Sequence, residues 1–225
     1  MKISAVIVAA GRSRRMGFDK LEADLDGETV LTRSLLAFQA CPEVGEIWVV
    51  TDPEKFDAIE KAVERLGITR FSGMLVGGAE RHLSVSAGLD RVSEDFDLVA
   101  VHDGARPLVS PAAITRCATE AARVGAATLA HRVADTLKRG NEASQVCDAV
   151  SRENLWAMET PQIFRRELLQ KAYAKVLANR EVVTDEVSAM EAIGVSVSLV
   201  ENREPNLKIT VPGDLVVAAA ILRSN

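Results

Sequence analysis

The chain has 225 residues, 48% hydrophobic and 26% charged, with a net charge of −5; this is an ordinary globular composition whose acidity excludes a generic nucleic-acid binder. Aromatic residues are only 4%, so aliphatic and alanine side chains must fill the core. No apolar run approaches the roughly 20 residues that span a bilayer, and three widely spaced cysteines, Cys41, Cys117 and Cys147, fit free thiols in a reducing, cytoplasmic setting better than a disulfide framework.

The first element is "ISAVIVA" (3–9), read as a buried strand and not a signal peptide, because it is short and runs straight into Gly and Arg. The loop that follows carries Arg12, Arg14, Arg15 and Lys20, a cationic cluster in an acidic chain. A glycine turn at the carboxyl end of a strand can face an anion with backbone N–H groups while arginine and lysine neutralise it. The loop matches neither the GxGxxG nor the Walker pattern, and a solvated basic loop is its plainer alternative. Leu31, Ser34, Leu35 and Phe38 then form one helical stripe, followed by the strand "EIWVV", the stripe Phe56, Ile59, Val63 and Leu66, and the strand "SGMLV".

In "VGGAERHLSVSAGL" (76–89), Gly77 and Gly78 permit close backbone approach, and Ser84 is expected to start a helix and offer its hydroxyl to a ligand or act as a simple cap. "LVAVH" is the next buried strand. It leads into "HDGARP", where Asp103 is placed to hold a hard cation such as Mg²⁺ and Arg106 to grip a phosphate, or to form an Asx turn beside a surface arginine. His102 reads as a strand-end histidine satisfied by hydrogen bonds. A helix over 111–124 begins at Pro111, and "AATLA" is a strand. Residues 132–151 read as an inserted β-hairpin around "RGNEA", packed on its own domain or reaching into another subunit.

"METPQIF" has strand-to-turn character around Thr160-Pro161. In "VVTDEVSAMEAIG", Thr184 is expected to cap a helix with Asp185 and Glu186 at its positive end. After the alternating "VSVSLVE", "PNLKIT" puts Lys208 in a strand just before a helix starting at Pro212. Near-continuous apolar strands alternating with helices predict a Rossmann-like α/β fold: a mainly parallel twisted sheet with helices on both faces. One domain over 1–225 is expected, with 132–151 inserted in it. The helix-like ending "AAILRSN" predicts no fused second enzyme.

Taken together and in order, "AAGRSRRMGFDK", "GGAERHLSV", "VHDGARP", "ADTLKR", "SRENLWAMETPQIF", "TDEVSAME" and "NLKIT" resemble the 2-C-methyl-D-erythritol 4-phosphate cytidylyltransferase family along essentially the whole chain. The resemblance implies transfer of CMP from CTP to a polyol phosphate, with Mg²⁺ or another divalent cation at Asp103 and release of pyrophosphate. It implies that Arg15 and Lys20 stabilise the pentacoordinate α-phosphorus, with Lys208 as a further catalytic cation. Ala9, Ala10, Gly11, Gly78, Ser84, Asp103 and Gly104 fall on the nucleotide side. Arg106, Thr160, Thr184 and Lys208 fall on the polyol-phosphate side. The hairpin resembles a dimer arm, with Thr136 and Arg152 reaching the neighbouring subunit's site in a homodimer. The chain departs from the family at Ala79 and Leu83, where acidic and polar residues are common, so only Gly78 and Ser84 are carried over there. A cytidylyltransferase for another polyol, such as ribitol 5-phosphate, and a nucleotide-binding module without turnover are the rival readings.

Overall fold

The strand β1 (Ile3–Val8) divides the interior in two. Ile3, Ala5 and Ile7 enter one core and Val6 the other, as the two-residue period of a strand requires. The computed structural model describes residues 1–11 and 16–224. After β1 come a small ribbon, β2 (Asp24–Leu25) and β3 (Glu28–Thr29), then α1 (Val30–Ala40), β4 (Val44–Thr51), α2 (Phe56–Leu66), β5 (Phe71–Val76), α3 (Arg81–Leu89), β6 (Leu98–Asp103), α4 (Pro111–Val124) and β7 (Ala126–Arg132). A hairpin of β8 (Leu137–Gly140) and β9 (Val146–Val150) precedes β10 (Trp156–Arg165), α5 (Arg166–Asn179), α6 (Glu186–Ala192), β11 (Ser198–Glu201) and α7 (Pro212–Ser224).

Seven strands form one sheet in the order β11-β7-β10-β6-β1-β4-β5. All are mutually parallel except β10, which runs antiparallel between β6 and β7. Helices α1, α2, α4 and α7 cover one face, and α3, α5 and α6 the other. The expected stripes hold: Leu35 and Phe38 of α1 are fully buried, each worth about 1.5–3 kcal/mol against exposure. Pro111 opens α4 and the Ser110 hydroxyl caps it, accepting from the Ala113 N–H at 3.1 Å. No helix among the described residues is long and apolar enough to cross a membrane.

The chain moves outward from β1 through β4 to β5, then returns to place β6 on the other side of β1. That reversal opens a crevice beyond the carboxyl ends of β1 and β6, where open α/β sheets bind ligands.

Several local expectations change. The "METPQIF" segment is no turn: β10 continues through it, with a cis Thr160-Pro161 peptide and a shift of register between Met158 and Gln162. Helix α5 was not foreseen, although Leu169, Ala172, Tyr173 and Val176 form its buried stripe. Thr184 does not cap α6; Asp185 does, its carboxylate accepting from the Ser188 N–H at 3.0 Å, because the helix starts at Glu186 and an N-cap side chain reaches the N–H three residues on. The "PNLKIT" segment belongs to no sheet; it is held by the Ile209 N–H donating to the Ala105 carbonyl at 2.8 Å. The hairpin strands pair Leu137 with Val150 and occupy the interior of the predicted insertion, while Arg132 belongs to β7 and pairs with Trp156. Residues 138–149 are all exposed, so this hairpin buries little of itself on its own chain.

Candidate active site

A cleft of about 790 Å³ fills the crevice at the strand reversal. Ala9, Ala10 and Gly11 line it from the exit of β1, Lys20 from the return of the cationic loop, Gly78 and Ser84 from the β5–α3 turn, Asp103 from the end of β6, and Lys208 from the C-terminal segment. The backbone arranges these walls. The Ala9 N–H donates to the Val50 carbonyl at 2.7 Å, and the Gly77 N–H donates to the Thr51 carbonyl at 2.9 Å. A Cβ on Gly77 would lie 2.2 Å from that of Ala10, so only glycine lets the two loops meet.

Ser84 is not the start of its helix. Helix α3 begins three residues earlier at Arg81, and the Ser84 hydroxyl accepts from the Gly78 N–H at 3.0 Å while donating to the Glu80 carbonyl at 3.3 Å. It therefore fixes the Gly78 turn from inside the helix.

Asp103 is the electrostatic centre. Its Oδ2 accepts from Lys208 Nζ at 2.7 Å, and its Oδ1 accepts from Arg81 Nη2 at 3.2 Å and Nε at 3.3 Å. Burial favours the neutral acid, but the charges of Arg81, Lys208 and Arg106 outweigh it and hold the carboxyl well below the usual aspartate range. Arg81 is gripped from behind by Glu186, which is fully buried, through bonds of 2.6 and 3.0 Å. Tyr173 donates to the same carboxylate at 3.0 Å. The Gln162 side-chain oxygen accepts the Glu186 N–H at 3.0 Å and the Val187 N–H at 3.2 Å.

The underside of Asp103 is a directed hydrogen-bond chain. The Arg106 carbonyl can only accept, so His102 Nε2, at 3.2 Å, carries the proton. His102 Nδ1 is then an acceptor, and the Thr160 hydroxyl at 3.0 Å donates to it. Thr160 Oγ1 in turn accepts the Asp103 N–H at 3.0 Å. Thr160, expected to face a substrate, is turned inward and spends its hydroxyl on positioning Asp103. Burial pulls His102 down to about 4, against the helping charge of Asp103, so it stays neutral through the physiological range.

Two further residues lie off the cleft. Gly104 is buried off the cleft; its N–H donates to the Val8 carbonyl at 2.9 Å and its carbonyl accepts the Ser34 hydroxyl at 3.0 Å. A Cβ there would lie 2.9 Å from Leu31 and 3.3 Å from the Val8 carbonyl, so Gly104 serves packing. Arg106, expected to grip a phosphate, donates to the carbonyls of Asn206 at 2.7 Å and Met158 at 3.2 Å, tying the C-terminal segment to β10. Thr136, Arg152 and Thr184 are exposed and do not line the cleft of their own chain. Arg12, Arg14 and Arg15 lie outside the described residues.

The residues that sequence reasoning passed over are Arg81, Glu186, Tyr173 and Gln162. Arg81 stood inside a quoted motif without a role, and Glu186 read as a helix-end charge. Its position directly after the cap residue, on the turn that packs inward, is what buries it.

The donor set at Asp103 fits one hard cation. Its two oxygens have about four acceptor positions, of which Arg81 and Lys208 take three. No cluster of three His, Cys, Asp or Glu that could hold a metal exists among the described residues. A cation here would therefore depend on Asp103 and on oxygens brought by a phosphate ligand, the way Mg²⁺ is commonly bound.

A family model described as 2-C-methyl-D-erythritol 4-phosphate cytidylyltransferase matches residues 3–224. The chain is 41% identical to the protein of that name from Caldanaerobacter subterraneus subsp. tengcongensis, over 99% of this chain and 100% of the relative. It is 38% identical to that from Pelotomaculum thermopropionicum, over 99% and 95%. The fold superposes on 4-diphosphocytidyl-2C-methyl-D-erythritol synthase from Anaerococcus prevotii with a TM-score of 0.84 and 28% identity, covering 99% of this chain and 98% of that one. It matches the Thermus thermophilus 2-C-methyl-D-erythritol 4-phosphate cytidylyltransferase with a TM-score of 0.82 and 33% identity, covering 99% and 100%.

The neutral, buried His102 predicts a pH dependence of stability. Above its ordinary value of 6.5 both folded and unfolded chains hold it neutral, so it contributes no slope. From there down to about 4 the unfolded chain takes up a proton that the folded chain refuses, and stability falls. Asp103 adds little in this window, because the stability it contributes is lost only as pH falls through its ordinary value of 3.8, where the unfolded chain begins to bind its proton. Urea unfolding between pH 7 and 4 should show a steeper loss for the wild type than for His102→Gln, by roughly 3 kcal/mol in total at about 1.4 kcal/mol per pH unit. Parallel curves would remove His102 from this account.

Proposed function

The chain belongs to the 2-C-methyl-D-erythritol 4-phosphate cytidylyltransferase family, and on that premise we propose that it transfers CMP from CTP to 2-C-methyl-D-erythritol 4-phosphate by direct displacement. The observation that carries this reading is the meeting of Lys20, Lys208 and Asp103 around one cleft at the strand reversal. An oxygen of the acceptor phosphate attacks the α-phosphorus of CTP. As that P–O bond forms, the bond to the bridging oxygen breaks and its electron pair leaves with pyrophosphate. Both reactants are anions, so the chain's contribution is orientation and charge neutralisation.

The residues divide this work. Gly11, the Gly78 turn and the exit of β1 accept the nucleotide along backbone that approaches closely. Lys20, whose ammonium is held on the Ile209 carbonyl, and the neighbouring Lys208 bring positive charge to the phosphates, and Arg15 adds to it by the family resemblance. Lys208 is aimed by Asp103, and Asp103 by Arg81 and Thr160. A divalent cation such as Mg²⁺, held by Asp103 and the triphosphate, supplies further neutralisation when bound. Neither of the two hydroxyls that line the cleft among the described residues is free. Ser84 spends its hydroxyl on Glu80, and Thr210 donates its own to Asp214 at 2.8 Å. That supports transfer without a covalent enzyme intermediate.

We further propose that the hairpin is an arm exchanged in a homodimer. Its exposure and the position of Thr136 and Arg152 away from their own cleft support a composite site, in which each arm completes the neighbour's polyol-phosphate pocket near Thr184. Three free cysteines fit the reducing cytoplasm as its setting.

Pyrophosphate release from CTP, measured with Mg²⁺ across a panel of polyol phosphates, should be fastest with 2-C-methyl-D-erythritol 4-phosphate. Lys20→Ala should lower that rate by ~10²–10³ with little change in thermal midpoint. Turnover of ribitol 5-phosphate alone would reassign the acceptor, and CTP binding without turnover would make the chain a regulatory module. Composite sites predict complementation as well. Lys20→Ala and Arg152→Ala subunits, each nearly inactive, should regain roughly one quarter of wild-type activity when unfolded and reassembled together, because half the two-fold dimers are mixed and each holds one intact site. A mixture no more active than its parents would confine each site to one chain.

A further inference from the structure

Lysine is almost never buried without a partner, yet the side chain of Lys55 is only 6% exposed. It closes the single 3₁₀ turn Pro53–Lys55 that joins β4 to α2. Its ammonium lies 2.5 Å from Asp19 Oδ2 and 3.8 Å from Asp52 Oδ2. Asp19 directly precedes Lys20 in the chain, and its other oxygen accepts the N–H of Leu21, the residue that follows Lys20, at 3.0 Å. Lys20 is thus bracketed: the carboxylate that Lys55 holds binds the backbone on its far side. The Lys20 ammonium reaches the cleft and donates to the Ile209 carbonyl at 2.8 Å. Leu21 is buried and accepts the Leu31 N–H at 3.1 Å, so the bracket is continuous with α1.

From this arrangement, and resting on the nucleotidyl-transfer reading above, we propose that Lys55 is a positioning residue for Lys20, acting through Asp19. The cationic loop leaves the sheet at Gly11 and must return with Lys20 aimed at the phosphates. The Asp19–Lys55 ion pair is the point at which the returning loop is fastened to the β4–α2 connection. Because the ammonium end is buried, salt screens this pair less than it would one exposed at both ends. Lys55 has a second effect in the same direction. Asp52 lines the cleft, where a bare carboxylate repels a triphosphate, and the nearby ammonium offsets that charge.

A purely structural ion pair and a positioning one differ in how their loss combines with loss of Lys20. Steady-state kinetics with CTP, together with thermal midpoints, should be measured on wild type, Lys55→Met, Lys55→Arg, Asp19→Asn, Lys20→Ala and the Lys20→Ala/Lys55→Met double variant. Lys55→Met keeps the aliphatic stem and removes the charge. We expect it to lower kcat about 10- to 100-fold, the scale of a small misplacement of a catalytic group. Lys55→Arg should recover most of that loss, Asp19→Asn should repeat it, and the double variant should be no slower than Lys20→Ala alone. Wild-type kcat in both Lys55→Met and Asp19→Asn would overturn the inference, as would Lys55→Met slowing Lys20→Ala by the same factor as it slows wild type. If Lys55→Met fails to fold, Asp19→Asn, on a partly exposed carboxylate, carries the same comparison. An inactive wild type would overturn the functional reading and this inference with it; an active wild type with an unaffected pair overturns this inference alone.

Discussion

One carboxylate, Asp103, held between two cations, fixes the geometry of the cleft. Its oxygens are taken by Lys208 on one side and Arg81 on the other. Through these two bonds and the chain behind them, β6 is tied to α3, to α6 by Glu186, to α5 by Tyr173, to β10 by Gln162, and to a C-terminal segment that belongs to no sheet. A buried carboxylate alone would favour its neutral form, and a buried arginine alone would leave an unpaired charge. Each is tolerated because the other is present. Ion pairs of this kind are weak contributors to net stability, and their clearest use is to specify one arrangement. Here the arrangement specified is the placement of Lys208 over the cleft.

The same logic accounts for a cationic loop in an acidic protein. Net charge describes the far field, whereas a cleft focuses the charges that line it. On the β1 side the positive charge arrives on a loop that leaves a buried strand and returns under the hold of Asp19. On the β6 side it arrives on Lys208, neutralised in part by Asp103 until a phosphate competes for it. The two cations are tied together directly, because the Lys20 ammonium donates to the carbonyl of Ile209, the residue after Lys208.

The layered architecture was legible because it rests on short-range patterns. The apolar strands, the stripe of α1 and the Pro111 start of α4 all follow from local periodicity and capping. What was not legible depends on distant partners. The antiparallel β10 looked like a turn because a Thr-Pro step normally interrupts a strand, and only pairing with both β6 and β7 reveals its course. Ser84 looked like a cap, whereas α3 starts three residues earlier at Arg81, whose ion-pair partners Asp103 and Glu186 lie far away in the chain. Glu186 looked like a helix-end charge because its partners, Arg81 and Tyr173, are also distant in the chain. Among the site residues, those on strand exits (Ala9, Ala10, Gly11 and Asp103), on the loops beside them (Lys20 and Gly78) and in the first turn of α3 (Ser84) fall in the cleft, since the topology sends them there. Thr160 and Arg106 lie off the cleft of their own chain, with the Thr160 hydroxyl and the two Arg106 Nη groups bonded to neighbours that no motif displays.

The central claim is a single displacement at the α-phosphorus between fixed cations, in a cleft whose hydroxyls are already engaged. The stereochemical course of cytidylyl transfer tests it most directly, with one diastereomer of α-thio-CTP as donor and the configuration at phosphorus of the product read by NMR. One displacement inverts that configuration. Retention would mean two displacements through an enzyme-bound intermediate, and would contradict the account.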